Sequence, residues 1–302
     1  MSERLFARLA ARLAGGETRV AAHVIDTRGA VPRRRGAVML VGHRDADGSI
    51  GGGEAEARVL AAARALLSGV ADRGCLDIDL SGRPDSAGIC GGWMQVALRR
   101  WRPPTDTTRV AAIALRLAVG DRVELDADDL GATPPVPWIV EPDARLLIVG
   151  AGHCGEALHR LARELDFDAW VHDARADCFV DARFEGATAL CGGPALLERA
   201  LATPRPVFAV LLNRDFAADV AALEVIAKSP PAFLGMMGSR RRIAQVRAAL
   251  PHHADVLAAV HAPVGLDIAA QSPEEIAVSI LAQLVAARAA LRNGDASAGA
   301  SD

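Results

Sequence analysis

The chain has 302 residues, of which 51% are hydrophobic and 24% are charged, as in a folded globular protein of about two domains. Its formal net charge of −3 gives no sign of a nucleic-acid or membrane-surface partner, and it has no apolar run near the roughly 20 residues of a membrane-spanning helix. Five widely spaced cysteines without a C-x-x-C pair, and no secretory leader pattern, indicate a reduced cytoplasmic protein without structural zinc.

The first half of the chain predicts an α+β domain. An amphipathic helix precedes Gly15 and Gly16, and a second helix ends at Gly69. Strands are predicted over residues 18–27, 37–42, 75–81 and 93–101. Four prolines in residues 131–145 predict a semi-rigid linker, so the domains are placed at 1–142 and 143–302. The tail from residue 293 is expected to be disordered.

The first domain contains two loops that are unusually rich in glycine or arginine. Pro32 predicts a turn that presents Arg33 and its two neighbouring arginines. Three consecutive glycines then lead into a helix that carries Glu56: Gly51, Gly52 and Gly53. These glycines form either an ordinary loop and helix cap or a helix N-terminus that holds an anionic ligand oriented by Glu56.

The segment "SAGICGGWMQV" places Cys90 among Gly88, Gly91 and Gly92, directly before a strand. Glycine neighbours leave the backbone bare and let a bulky partner approach the sulfur atom. The alternative is a half-buried thiol that packs at the strand entrance.

The second domain opens with a glycine motif in the context that dinucleotide-binding folds require. Gly150, Gly152 and Gly155 follow the apolar run "LLIV", and Asp173 ends the next strand. The pattern predicts a Rossmann-like parallel sheet whose glycine loop holds a pyrophosphate of NAD or NADP. Asp173 is expected to accept hydrogen bonds from ribose hydroxyls and to disfavour a 2′-phosphate, although many such folds bind other ligands.

A second glycine loop lies in "FLGMMGSRRR". Gly238 and Ser239 precede a helix whose first turn carries Arg240, Arg241 and Arg242. Cations oppose the helix dipole there, so a bound phosphate or nearby carboxylates are expected to compensate them; alternatively, the arginines are solvated. Both glycine loops are expected at the carboxyl edge of one parallel sheet.

Together these segments resemble the xanthine dehydrogenase accessory protein family, XdhC/CoxI, over nearly the whole chain. The matching segments stand in the family's order: "DTRGAVPRRRGAVML", "SIGGGEAEARVL", "CGGWMQV", "LLIVGAGHCGEALHRLA", "FLGMMGSRRR" and "PVGLDIAAQSPEEIAVSILAQLVAAR". The chain departs from the family at Leu212 and Asn213, where relatives carry Thr-His, and at Glu54, where a small residue is common.

The resemblance implies a cytoplasmic accessory protein, not itself an enzyme, that binds molybdenum cofactor (molybdopterin). It also implies support for sulfuration of the cofactor by a cysteine desulfurase, transfer to a xanthine dehydrogenase-type apoenzyme, and a dimeric state. Cys90 would then contact the metal, since a thiolate is a soft ligand, while the Gly91 and Gly92 amides would hold the anionic end. Cys154 is a weaker second candidate, and Cys75, Cys178 and Cys191 are expected to be structural.

Two other functions stay open. One is an NAD(P)-dependent oxidoreductase, against which stands the lack of a convincing proton donor, since His153 lies within the glycine loop. The other is a regulatory protein that senses a dinucleotide and acts by binding partners.

Overall fold

The computed structural model describes residues 2–134, 137–180 and 182–298. The chain divides into two compact units, Met1–Asp143 and Ala144–Asp302. This boundary lies one residue after the one that the sequence predicts, at residue 142. None of the helices in the described part of the chain combines the length and apolar character needed to cross a membrane.

The first unit is built on a five-stranded antiparallel sheet. The strands lie in the order β3-β2-β1-β5-β4, and a separate two-stranded sheet pairs β6 with β7. The elements in chain order are α1 (Ser2–Ala14), β1 (Arg19–Arg28), β2 (Val38–Val41), β3 (Ala46–Gly48), α2 (Gly53–Ser68), β4 (Arg73–Asp79), β5 (Trp93–Trp101), α3 (Thr107–Ala118), β6 (Val123–Leu125), α4 (Ala127–Leu130) and β7 (Trp138–Val140).

Helices cover both faces of this sheet, which explains the continuous apolar run of β1. Val20, Ala22 and Val24 pack with α2 on one face. Ala21 packs with α1 and α3 on the other, because successive strand residues point to opposite faces. The central strand is therefore buried on both sides, and the predicted α+β arrangement is confirmed.

Two sequence predictions outside the glycine loops need correction, and one helix was missed. The proline-rich segment 131–145 is not wholly a linker, because Trp138 and Val140 of β7 are buried in the first core. A third long helix, α3, was missed, although Val110, Ile113 and Leu117 follow a helical spacing and are buried. The expected disordered tail is helical as far as Ala298, and residues 299–302 lie outside the described part.

The second unit is a parallel sheet of five strands in the order β10-β9-β8-β11-β12, which confirms the Rossmann-like prediction. Its elements in chain order are β8 (Ala144–Val149), α5 (His153–Ala162), β9 (Phe167–Asp173), β10 (Thr188–Cys191), α6 (Leu197–Leu201), β11 (Val207–Leu211), α7 (Phe216–Ile226), β12 (Phe233–Met236), α8 (Arg240–Ala249), α9 (Ala254–Ala258) and α10 (Pro273–Ala298). The order runs outward in both directions from β8, so the carboxyl ends of β8 and β11 meet at the point where ligands bind in such folds.

Helices cover both faces of the parallel sheet. Leu146 and Ile148 of β8 pack with α5 and α10, whereas Leu147 and Val149 pack with the helices between β10 and β12. Strands buried on both faces have no polar alternation, and the run "LLIV" has none. Because this central run is apolar on both faces, the polar groups of a ligand site must come from the loops at the carboxyl ends of the strands.

Candidate functional site

A cavity of about 680 Å³ opens at the carboxyl edge of the parallel sheet. The glycine loop after β8 forms one wall, and the segments after β9 and β11 form others. This volume is within the range of sites for small molecules and cofactors. The N-terminus of α5 lies at the cavity and supplies the partial positive charge of a helix dipole.

The three glycines of the motif have different structural requirements. Gly150 has φ +117°, and a Cβ there would lie 2.9 Å from Oδ1 of Asn213. A Cβ at Gly155 would overlap the carbonyl oxygen of Gly150. Gly152 has φ −80° and open space where its Cβ would stand, although it lines the cavity. The fold itself therefore requires glycine at 150 and 155, whereas at 152 glycine leaves room for a ligand.

Asp173 stands where the motif predicts it, but its carboxylate is used within the chain. Its Oδ2 accepts from the Ala151 amide at 2.9 Å and from Arg175 Nη2 at 2.8 Å. Its Oδ1 accepts from the Arg175 amide and Nε, both at 3.0 Å. Burial raises the pKa of Asp173, but the hydrogen bonds from Arg175 and Ala151 outweigh it and hold that pKa at about 2. The expected ribose acceptor is therefore an anchor that fixes Arg175 at the cavity.

A buried carboxylate joins the loops after β11 and β12. Asp219 of α7 is 1% exposed and accepts from Asn213 Nδ2 at 3.1 Å and from Arg242 Nη2 at 2.6 Å. Burial raises the pKa of Asp219, and the bonds from Arg242 and Asn213 oppose that rise. Arg242 also donates to the Arg214 carbonyl at 2.7 Å. Asn213 thus braces the site through its amide group.

The arginine-rich loop follows β12 at the carboxyl edge of the same parallel sheet, as expected, but it contributes little to the cavity lining. Ser239 caps α8 by accepting from the Arg242 amide at 3.3 Å, as expected. The carboxylate of Asp219 compensates the positive charge of Arg242. Arg241 is exposed. Met237 lines the cavity, but Gly238 and Ser239 are not among the lining residues that the structure describes. The backbone of Arg240 begins α8.

Three loops of the first unit converge at one end of the antiparallel sheet, called here the loop end (residues 27–36, 49–53 and 80–92). The end of β1 pairs with the start of β5 through Arg28 and Trp93, and the end of β4 pairs there as well. A Cβ at Gly92 would overlap the carbonyl oxygens of Arg28 and Ala30. Two glycine-rich segments that are far apart in the sequence therefore pack backbone against backbone.

The triglycine loop joins the same end of the sheet. A Cβ at Gly51 would lie 2.5 Å from Cγ of Pro32, so the proline turn packs against this loop. Gly52 and Gly53 have φ +79° and +63° and open space where a Cβ would stand. Arg33 is exposed beside this contact. The structure thus brings together the Pro32 turn, the triglycine loop and the Cys90 segment.

Glu56 does not point to a ligand as the sequence suggested. Its Oε2 accepts from the Ser49 hydroxyl at 2.6 Å, the Gly52 amide at 3.1 Å and the Ile50 amide at 3.2 Å. Burial raises the pKa of Glu56, but these hydrogen bonds prevail and leave it lowered. Glu56 is thus an anionic cap that holds the triglycine loop, which favours the helix-cap interpretation for this carboxylate.

Cys90 is exposed at the tip of the loop between β4 and β5. Buried Leu80 and Ala87 anchor that loop, and the residues on either side of Cys90, Ile89 and Gly91, are exposed. The Gly91 amide donates to the Leu80 carbonyl at 2.7 Å, so the expectation that this amide holds an anion is wrong. The packing interpretation of the thiol is also wrong, because an exposed side chain contributes little to a core.

The other cysteines are also free thiols. Cys154 and Cys178 line the cavity, and burial raises the pKa of both thiols. They are therefore poorer sources of a thiolate at neutral pH. Cys75 and Cys191 are exposed on strands β4 and β10.

Sequence reasoning missed three groups of polar residues. Arg175 follows Asp173 by two positions, and this short spacing is the signal that could have found it. Asp219 gave no local signal, because its partner Arg242 is 23 residues away. Glu224, His252 and His253 place potential metal-ligand atoms within 4.8 Å of one another, among the residues that the structure describes. Neither histidine spacing nor cysteine spacing predicted that cluster, because the glutamate comes from α7.

Comparisons with known proteins agree with this two-unit organisation. The model of the XdhC and CoxI family matches residues 12–77, and the model of the XdhC Rossmann domain matches residues 146–284. Together they match more than half of the chain, with one model in each unit.

The chain is 26% identical over 273 residues to the "Uncharacterized protein YqeB" of Escherichia coli, a match of 87% of this chain and 42% of that protein. It is 29% identical over 155 residues to a protein of Bacillus subtilis named as a probable subunit of xanthine dehydrogenase, covering 49% of this chain and 44% of that protein. The aligned part is thus less than half of each curated relative.

A solved structure titled as a xanthine dehydrogenase from Bacillus halodurans has a TM-score of 0.80 with this chain at 24% identity, over 96% of both chains. That likeness establishes the fold across both units. The two family models, one in each unit, place this chain in the XdhC and CoxI family.

Proposed function

We propose that this chain is an accessory protein in the maturation of a xanthine dehydrogenase-type molybdoenzyme, and that the loop end of the first unit carries the molybdenum cofactor as cargo. The observation that supports this most is the convergence of the three glycine-containing loops around exposed Cys90. Membership of the XdhC and CoxI family supports this proposal, and the name of the Bacillus subtilis relative connects that protein with xanthine dehydrogenase.

The residues at the loop end fit such a cargo chemically. The cofactor offers a metal that takes soft sulfur ligands, and an anionic end. Cys90 is exposed and supplies the soft ligand, because a thiolate binds such metals better than oxygen does. The side chains of Arg33 and Arg34 are exposed and make no hydrogen bond or ion pair within the described residues, so they can meet an anion.

The loop end also suits a cargo that must be released. Cys90, Arg33 and Arg34 are exposed there, and the nearby glycines Gly52 and Gly91 have room beside their backbones. A site of this kind lets a large cofactor approach without enclosing it. We accordingly propose that a cysteine desulfurase delivers sulfur to the bound cofactor, that the client apoenzyme then receives it, and that the carrier acts as a dimer.

The test is Cys90→Ser, with Cys75→Ser as the matched control because both thiols are exposed. Both variants are expected to melt within about 1 °C of wild type, since surface substitutions change stability by less than about 0.5 kcal/mol. Cys90→Ser is expected to lose most of the molybdenum and pterin retained after incubation with free cofactor, and most client activation. Full retention and activation by this variant would reject Cys90 as a ligand.

We also propose that the cavity of the second unit binds a dinucleotide, which supplies a regulatory or structural ligand. The open space at Gly152 supports this, because the fold does not itself need glycine there. Gly152→Ala is expected to leave the melting temperature unchanged and to weaken dinucleotide affinity at least tenfold in calorimetry. Gly186→Ala, also at a glycine with open space but outside the cavity lining, is the control for affinity. Because φ is +82° at Gly186, this control is expected to lose about 1 kcal/mol of stability while keeping wild-type affinity.

A further inference from the structure

The acidic residue that normally reads the ribose in this fold has no free acceptor site in this chain. The two oxygens of Asp173 accept four hydrogen bonds, three of them from Arg175 and one from the Ala151 amide. A carboxylate has about four lone-pair sites, so the ribose hydroxyls would find none available. The Asp173 side chain is only 7% exposed, and a change of its rotamer would break these hydrogen bonds.

An arginine balances the charge of Asp173 at the cavity. The Arg175 guanidinium lies 2.8 Å from the carboxylate, and both residues line the cavity. The Arg175 cation therefore opposes the repulsion that the sequence expectation assigned to Asp173 against a 2′-phosphate. An ion pair fixed in this way holds the arginine side chain in one orientation before any ligand arrives.

Arg175 retains donors for a ligand. Two of its five guanidinium N–H groups, on Nε and Nη2, bond to Asp173, and its side chain is 62% exposed. A guanidinium binds phosphate oxygens strongly and with defined geometry. In folds of this kind an arginine beside the acidic position accommodates the 2′-phosphate of the adenosine ribose.

We propose that the cavity takes a 2′-phosphorylated adenine dinucleotide of the NADP class, and that Arg175, held by Asp173, selects the 2′-phosphate over a free 2′-hydroxyl. This inference rests on the proposed dinucleotide binding of the second unit. It assigns Asp173 a positioning role, and it places the specificity of the site in a residue pair at the carboxyl end of β9.

The experiment titrates the full chain with two matched pairs of probes, 2′,5′-ADP against 5′-AMP and NADP against NAD. Wild type is expected to bind the 2′-phosphorylated member of each pair at least tenfold more tightly. Arg175→Ala is expected to reverse this preference, because the freed Asp173 carboxylate repels phosphate and accepts from ribose hydroxyls. Arg160→Ala is the control, since Arg160 is exposed, pairs with Glu274 and does not line the cavity.

Asp173→Asn keeps Arg175 and removes the negative charge, so it is expected to retain the preference for 2′-phosphate. Circular dichroism of each variant shows whether it is folded. If wild type binds NAD as tightly as NADP, or more tightly, Arg175 does not select the ligand and only the specificity is overturned. If none of the four probes binds, the dinucleotide proposal fails, and the inference fails with it.

Discussion

The two glycine-rich regions of this protein differ in how far their polar side chains are committed to the chain itself. In the second unit, Asp173 lines the cavity, and Asp219 accepts a hydrogen bond from the lining residue Asn213. The two carboxylates are 7% and 1% exposed, and each is paired with an arginine. At the loop end of the first unit, Cys90, Arg33 and Arg34 are exposed. A committed network holds a small ligand in one geometry, whereas an exposed group can exchange a cargo with another protein.

The glycines of the two regions differ less. Each region has glycines that the fold requires, Gly92 in one and Gly155 in the other, because a Cβ would overlap a backbone carbonyl oxygen. Each also has glycines beside open space, Gly91 and Gly152. Glycine content alone therefore does not distinguish packing from ligand binding, but the space beside each glycine does.

The largest expected effect tests the commitment of the cavity network. Asp219→Ala removes a buried carboxylate and leaves the Arg242 guanidinium, 24% exposed, without its ion partner. We expect the free energy of unfolding to fall by about 3–4 kcal/mol, as when a buried ion pair loses one member. Urea unfolding followed by circular dichroism measures it.

The matched control is Glu274→Ala, which breaks the exposed pair between Arg160 and Glu274, whose side chains are 58% and 57% exposed. Its cost is expected to stay below about 1 kcal/mol. Equal losses in the two variants would show that the cavity network is no more committed than the surface.

The second prediction separates the two neighbouring glycines of the loop end. Gly92→Ala forces a Cβ against the carbonyl oxygens of Arg28 and Ala30, and we expect a loss of about 2–3 kcal/mol from overpacking. Gly91→Ala meets open space but keeps φ at +87°, so about 1 kcal/mol is expected. Thermal unfolding of the two variants provides the measurement, and a reversed order would contradict the packing of the Cys90 segment on the β1 turn.

The third and smallest effect concerns the acid sensitivity of the first unit. His23 is 1% exposed, neither of its ring nitrogens has a hydrogen-bond partner within the described residues, and burial lowers its pKa to about 4. The unfolded chain takes up the proton below pH 6.5, so stability is full above that pH and falls as the pH drops towards 4. At pH 5 the loss is about 2 kcal/mol, at about 1.4 kcal/mol for each pH unit.

His23→Leu is expected to be near neutral at pH 7.5, since it removes polar atoms that have no partner among the described residues. At pH 5 it should be more stable than wild type by about 2 kcal/mol. Urea unfolding at both pH values measures the difference. An identical pH dependence in variant and wild type would mean that His23 is not the group that makes the first unit sensitive to acid.

The sequence by itself determined the elements and motifs whose signals are local. The glycine spacing after "LLIV", the Ser239 cap and the strand Trp93–Trp101 each depend on residues close in the chain, and the structure places them as predicted. Helix α3 was equally local, yet it was missed. The proline-rich segment misled because its turn residues outweighed the short strand Trp138–Val140.

Only the tertiary structure decided what the polar side chains of the motifs do. Glu56 and Asp173 have the residue types and positions of ligand-binding groups. Their carboxylates instead accept hydrogen bonds from backbone amides and from the side chains of Ser49 and Arg175. Arg242 on α8 pairs with the carboxylate of Asp219 on α7, which is 23 residues earlier in the chain. A pattern of residue types determines at which position of a loop a side chain stands. Its hydrogen-bond partner depends on which other segments the fold brings within about 3 Å.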